Sequence, residues 1–206
     1  MATVSEPLLH AAHEALGIPL RYAQAGSSLA RAAMAGAARC IELVHYPRQD
    51  VIDKTYGTRF YYHAHGARRH PDNEHGHFHL FAQGSQPGDY THLAGISLDP
   101  QGQPIRLFTV NRWVTGETWR QAAEVEQALA CFAVQTRGRM APVARWLTAM
   151  VRLYFPQLVC LVRRRDAVMA RRSARQGWEA LCEDRRLDVV TECRISLSQR
   201  IQQLGC

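Results

Sequence analysis

The chain has 206 residues, 47% of them hydrophobic and 21% charged, a balance that speaks for an ordinary globular protein over a disordered one and supplies enough apolar surface for one stable core. Its apolar runs, such as Leu158 to Val162, are broken by arginine far short of the roughly 18 residues that a bilayer-spanning helix needs, so no membrane association is expected. The net charge of +7 is uneven, because from Gln135 onward fourteen arginines face six acidic residues and this part carries all of the excess.

The N-terminal stretch MATVSEPLLHAAHEALG lacks the basic segment, apolar core and small-residue cleavage site of a secretory signal, which points to a cytoplasmic protein. It reads as a helix over 5–16. A second helix is expected from Ser27 or Ser28 to His45, set apart by the Gly17-Ile18-Pro19 breaker and ended by Pro47. Leu29, Ala33, Gly36, Cys40 and Leu43 form its apolar stripe. From Val51 to Trp113 the period turns from helical to alternating, with turn clusters over 66–73, 83–89 and 99–103. Strands are predicted over 58–65, 75–82, 91–98 and 105–114, joined by short polar loops as an antiparallel meander.

Beyond Thr115, a candidate cap followed by Glu117 in the first turn, helices are predicted over 117–135, 142–154, 158–177 and 178–204. In the last of these, Leu187, Val190, Arg194, Leu197, Ile201 and Leu204 step by three and four residues; an internal packing stripe is the simpler reading, and a homodimer seam the alternative. The fold class is α+β: an antiparallel sheet of about four strands flanked by N-terminal and C-terminal helices, in a single domain over 1–206. The six cysteines, Cys40, Cys131, Cys160, Cys182, Cys193 and Cys206, are scattered and read as reduced thiols serving as small hydrophobes.

Seven of the ten histidines lie between His63 and His92. Successive strand residues point to opposite faces, so His75, His77 and His79 share one side while Gly76, Phe78 and Leu80 share the apolar other. His63 and His65 alternate likewise. Pairing His63 with His77 sets His65 opposite His75 and Tyr61 opposite His79, gathering five imidazoles on one surface; a slip of one residue disperses them. Cross-strand Cβ atoms about 4.5–5.5 Å apart and a zinc–nitrogen distance of about 2.0–2.1 Å let two or three such rings meet one ion.

His63, His65, His75, His77 and His79 are therefore the candidate metal ligands. Glu74 or Glu117 would supply the carboxylate of a two-histidine-one-carboxylate set. The implied cofactor is a divalent ion, iron or zinc foremost, with copper or haem as alternatives. His77, His79 and Glu74 are the catalytic candidates. A solvated sheet face explains any single histidine but accounts poorly for five in alternation. His70, beside Arg68 and Arg69, reads as a loop residue, and His10, His13 and His45 lie on predicted helices with no partner at ligand spacing.

The stretch His75-Gly-His-Phe-His-Leu-Phe81 resembles the histidine-triad motif of nucleotide hydrolases and transferases, which implies attack on phosphorus by His77 with His79 assisting. That family carries its motif near the end of the domain, whereas here two strands and several helices follow, and Gly76 stands where a bulkier apolar residue is usual. Together, EHGHFHLF and LFTVNRWVTGE resemble an uncharacterised bacterial family known only as a domain of unknown function, a likeness that covers most of the chain and implies a shared histidine-bearing sheet without an activity.

In the segment Leu107 to Trp119 a strand runs into a helix and leaves backbone N–H groups free, a setting in which Arg112, flanked by Asn111 and Trp113, would hold an anionic group. The arginines at 163–165, 171–172, 175 and 185–186 have no interleaved aromatics, so they read as a solvated helical surface and nucleic acid is not expected as a partner. The residues point first to a metal-dependent enzyme acting on a small, anionic molecule. A histidine-triad-like nucleotide hydrolase and a non-enzymatic metal- or haem-binding protein are the competing readings.

Overall fold

In the computed structural model, which describes residues 5–65, 73–84, 86 and 88–205, six antiparallel strands lie side by side in chain order. They are β1 (Tyr46–Asp53), β2 (Thr58–His63), β3 (Gly76–Gln83), β4 (Tyr90–Leu98), β5 (Pro104–Val110) and β6 (Val189–Arg194). The α+β class and the central meander match the sequence reading, and the sheet gains one strand at each edge. β1 contains Pro47 and a polar run that hid it; at an edge, the missing proline N–H need not cost the ladder a bond. β6 lies inside the stretch expected to be one helix over 178–204, and its β-branched Val189, Val190 and Thr191 favour a strand once β5 offers a partner. The three-and-four stepping from Leu187 to Leu204 is therefore no continuous seam.

The helices are α1 (Glu6–Gln24), α2 (Leu29–Ala33), α3 (Arg112–Thr115), α4 (Ala122–Ala130), α5 (Ala141–Leu153), α6 (Phe155–Gln176), α7 (Trp178–Cys182) and α8 (Leu197–Leu204). α1 runs straight through the expected breaker. Its buried Ala11, Ala12, Ala15 and Ile18 pack on α5, and this contact outweighs the bond lost at Pro19. α2 is far shorter than expected: Ser28 caps it, but Ala35 and Gly36 turn into the left-handed region, and the Arg139 side chain fills the space where a Cβ at Gly36 would sit. Leu43 of the expected stripe is consequently 63% exposed. Asn111, not Thr115, caps the helix after β5, and Glu117 precedes α4 instead of opening a helix.

One face of the sheet presents Phe60, Tyr62, Phe78, Leu80, Ile96 and Leu107 to the main core, where Trp146 of α5 packs against Phe78. A smaller apolar cluster of Met169, Leu181, Cys182 and Leu187 forms around α6 and α7. The opposite face of the sheet carries the histidines. No helix among the described residues is long and apolar enough to cross a membrane.

Candidate metal centre

The register of β2 and β3 is the one that gathers the imidazoles: His63 lies opposite His77, and Tyr61 opposite His79. His63 Nε2 stands 2.7 Å from His77 Nε2 and 3.1 Å from His79 Nε2. His65, just beyond β2, closes on the same point, so that ligand nitrogens of His63, His65 and His77 all lie within 4.8 Å of one another. His63, His77 and His79 are buried, and His65 is half-buried.

His75 does not join them. Its Nδ1 is 2.7 Å from the phenol of Tyr62, a residue of the core face. A Cβ at Gly76 would lie 2.6 Å from that phenol oxygen and 2.6 Å from the carbonyl oxygen of His63, so glycine is required there for space. His75 sits ahead of the first paired residue of β3, where the alternation that placed it on the histidine face no longer holds. His70 lies outside the described residues.

Two further histidines, one set aside by the sequence reading and one it gave no role, belong to the cluster. His92 Nε2 is 2.9 Å from His79 Nδ1. It reaches the histidine face because a bulge between Leu80 and Phe81 pairs Phe81 with His92, although Ala94, two residues on, faces the core. His45 lies not in a helix but just ahead of β1, stacks on Tyr61 at 3.6 Å, and has its Nδ1 3.0 Å from Asp50. Nothing in local periodicity signals either position.

Glu74 is a supporting group, with one oxygen 2.6 Å from His77 Nδ1 and the other accepting from Arg106 at 2.9 Å. Both carboxylate oxygens thus have partners away from the point where the Nε2 atoms meet. Burial alone would raise the Glu74 carboxyl, but the bond to His77 and the Arg106 charge outweigh it and bring it down to about 2. Glu117 accepts the backbone N–H of His92 through Oε2, while its Oε1 is buried with no hydrogen-bond partner among the described residues. Burial pushes Glu117 up to about 8.

Burial and the neighbouring rings push His63 down to about 2 and hold His79 well below the usual histidine range. Burial, then the Arg165 charge, brings His92 to about 3. These rings are neutral at neutral pH, the form in which imidazole binds a metal. The aromatic surround is tight: Phe108 lies edge-on to His77 and His79, with ring centroids 5.1 and 5.7 Å away, and its own ring occupies the space a Cβ at Gly95 would need.

The second sequence segment is engaged elsewhere. Arg112 pairs with Glu179 at 2.7 Å and Glu183 at 3.1 Å, the Asn111 amide donates to the Leu181 carbonyl, and the Trp113 indole donates to the Leu187 carbonyl. These three residues fasten the end of β5 to α7 and the turn after it.

A family model described as a domain of unknown function (DUF6969) matches residues 9–195. Comparison with curated proteins and with solved structures finds no match. With nearly the whole chain matched, the protein belongs to the DUF6969 family.

Proposed function

We propose that the protein is a metal-dependent enzyme whose ion is held by His63 and His77, with His65 or His79 as the third imidazole. The observation that carries this reading is the meeting of His63 Nε2 with two other Nε2 atoms, at 2.7 and 3.1 Å, in a buried setting. A neutral imidazole has one proton to share, so His63 Nε2 can satisfy one neighbour and not both; a divalent ion satisfies all three at once. Tetrahedral ligands about 2.1 Å from an ion are about 3.4 Å apart, so a modest opening of these rings suffices.

An all-imidazole set suits zinc first, with iron and copper also served by nitrogen ligands. Haem fits poorly, because the rings pack against one another and against Phe108, leaving no flat face for a macrocycle. When bound, the ion supplies Lewis-acid chemistry. The chain's own groups hold the protons: Glu74 accepts from His77 Nδ1 and leaves His77 Nε2 unprotonated, and the His79–His92 contact gives a path for a proton away from the centre. Neutral ligands leave the charge of the ion uncompensated, which favours a small anionic substrate entering at the half-buried His65. A histidine-triad mechanism would need His77 Nε2 open to a phosphorus atom, whereas that nitrogen faces His63 at 2.7 Å.

Elemental analysis of the purified protein tests this. Near-stoichiometric zinc, iron or copper is expected, falling to background in the His77→Ala, His79→Ala double variant. A protein that carries no metal and takes none up overturns the proposal.

A further inference from the structure

α6 contains six arginines, and the structure separates them by partner. Arg165 is buried, stacked at 4.1 Å on Trp119 and bonded to Asp166 and the Arg120 carbonyl. Arg163 forms a two-pronged pair with Glu126 at 2.6 and 2.7 Å. Asp166, the one acid of the helix, is taken up by Arg165 and by the backbone N–H of Ala122. Arg164, Arg171, Arg172 and Arg175 are all exposed and, among the described residues, have no carboxylate within ion-pair distance.

At 100° per residue, Arg164, Arg171 and Arg175 fall within about 40° of one another, on a stripe about 16 Å long, with Arg172 on its flank. At the C-terminal end of the helix, Arg172 and Arg175 line an open cleft of about 400 Å³ together with Leu187 and with Arg186, which is paired with Asp184 at 2.9 Å. Attraction of the helix C-terminus for cations accounts for Arg172 and Arg175, but not for Arg164 and Arg171 farther up the helix.

In place of the solvated surface expected from the sequence, we propose that this stripe binds duplex nucleic acid through its phosphates, without reading sequence. One strand of a duplex offers about five phosphates over the length of the stripe. Guanidinium groups engage phosphate oxygens in pairs, and the chain uses arginine almost exclusively, with Lys54 as its single lysine. The absence of aromatics among these arginines disfavours stacking on unpaired bases and leaves the backbone of a duplex as the matching polyanion. No large apolar residue is exposed along the stripe, so it lacks what a helix needs to enter a lipid surface.

The test is fluorescence anisotropy of a 20-base-pair duplex of arbitrary sequence with the full chain, between about 50 and 200 mM salt. Binding is expected at the low end, with a slope of log K against log salt of about −3 to −4, as four neutralised phosphates give. Combining Arg164→Gln, Arg171→Gln, Arg172→Gln and Arg175→Gln should weaken it at least about tenfold and flatten the slope. These side chains are exposed, and an unchanged melting curve verifies the fold. The His63→Ala variant should bind the duplex as the parent does, which separates this surface from the metal centre. No binding at 50 mM salt, equal binding by the four-residue variant, or preference for polyglutamate or anionic vesicles over the duplex overturns the proposal.

Discussion

At the scale of single residues, the site depends on which nitrogen of each ring holds a proton. Glu74 fixes this for His77, with Arg106 braced behind it by Phe108, whose ring lies 4.7 Å from the guanidinium carbon. Replacing Glu74 by Gln removes the charge that orients the ring and should weaken zinc binding about 10–100-fold with little change in fold, measured by competition with a coloured chelator; unchanged affinity would show that Glu74 orients nothing. Glu117 gives a prediction in pH. Its folded-state pKa, near 8, is raised above the unfolded value by burial. As pH rises between the two values the unfolded chain ionises and the folded one does not, so stability is lost across that window. The amide of Glu117→Gln does not titrate. The variant should therefore gain on the parent by on the order of 2–4 kcal/mol between pH 4 and pH 8 in paired denaturant melts. A difference that stays flat with pH would show that Glu117 is ionised in the fold.

At the scale of elements, alternation showed which residues of β2 and β3 share a face, burying Phe78 and Leu80 and leaving His63 and His77 on the other side, while the pairing that sets those two rings opposite one another comes from the folded sheet, since a slip of two residues would keep the same faces. What alternation could not show was its interruption. The bulge beside Leu80 moves His92 onto the histidine face, and the end of pairing at Gly76 turns His75 toward Tyr62. β6 was equally hidden, since its partner β5 lies some eighty residues away; Thr109 and Thr191 meet there at 2.7 Å across a separation of 82 residues. Likewise α1 survives Pro19 because of α5, a contact no local pattern displays. The strand geometry also makes Gly95 a test of packing. Gly95→Ala collides with Phe108 and should cost about 1–3 kcal/mol and loosen metal binding, while adding Phe108→Leu should recover much of both. Equal loss in the double variant would place the fault in the β4 backbone.

For the whole molecule, the sheet works as a partition: an apolar face closes the core against α1 and α5, and the other face holds neutral imidazoles inside an aromatic surround. An ion bound only by the folded chain must stabilise it. At free zinc about 100 times the dissociation constant the gain is about 2.7 kcal/mol, a rise in Tm of roughly 5–10 °C that a chelator should reverse; a Tm indifferent to zinc would mean that no such linkage exists. The most direct measurement is a calorimetric zinc titration of chelator-stripped protein beside its His63→Ala variant. One zinc per chain, abolished in a variant that keeps its circular dichroism, is the predicted result. Zinc binding that persists undiminished without His63, or that is absent from the parent, would contradict a metal centre built on that ring.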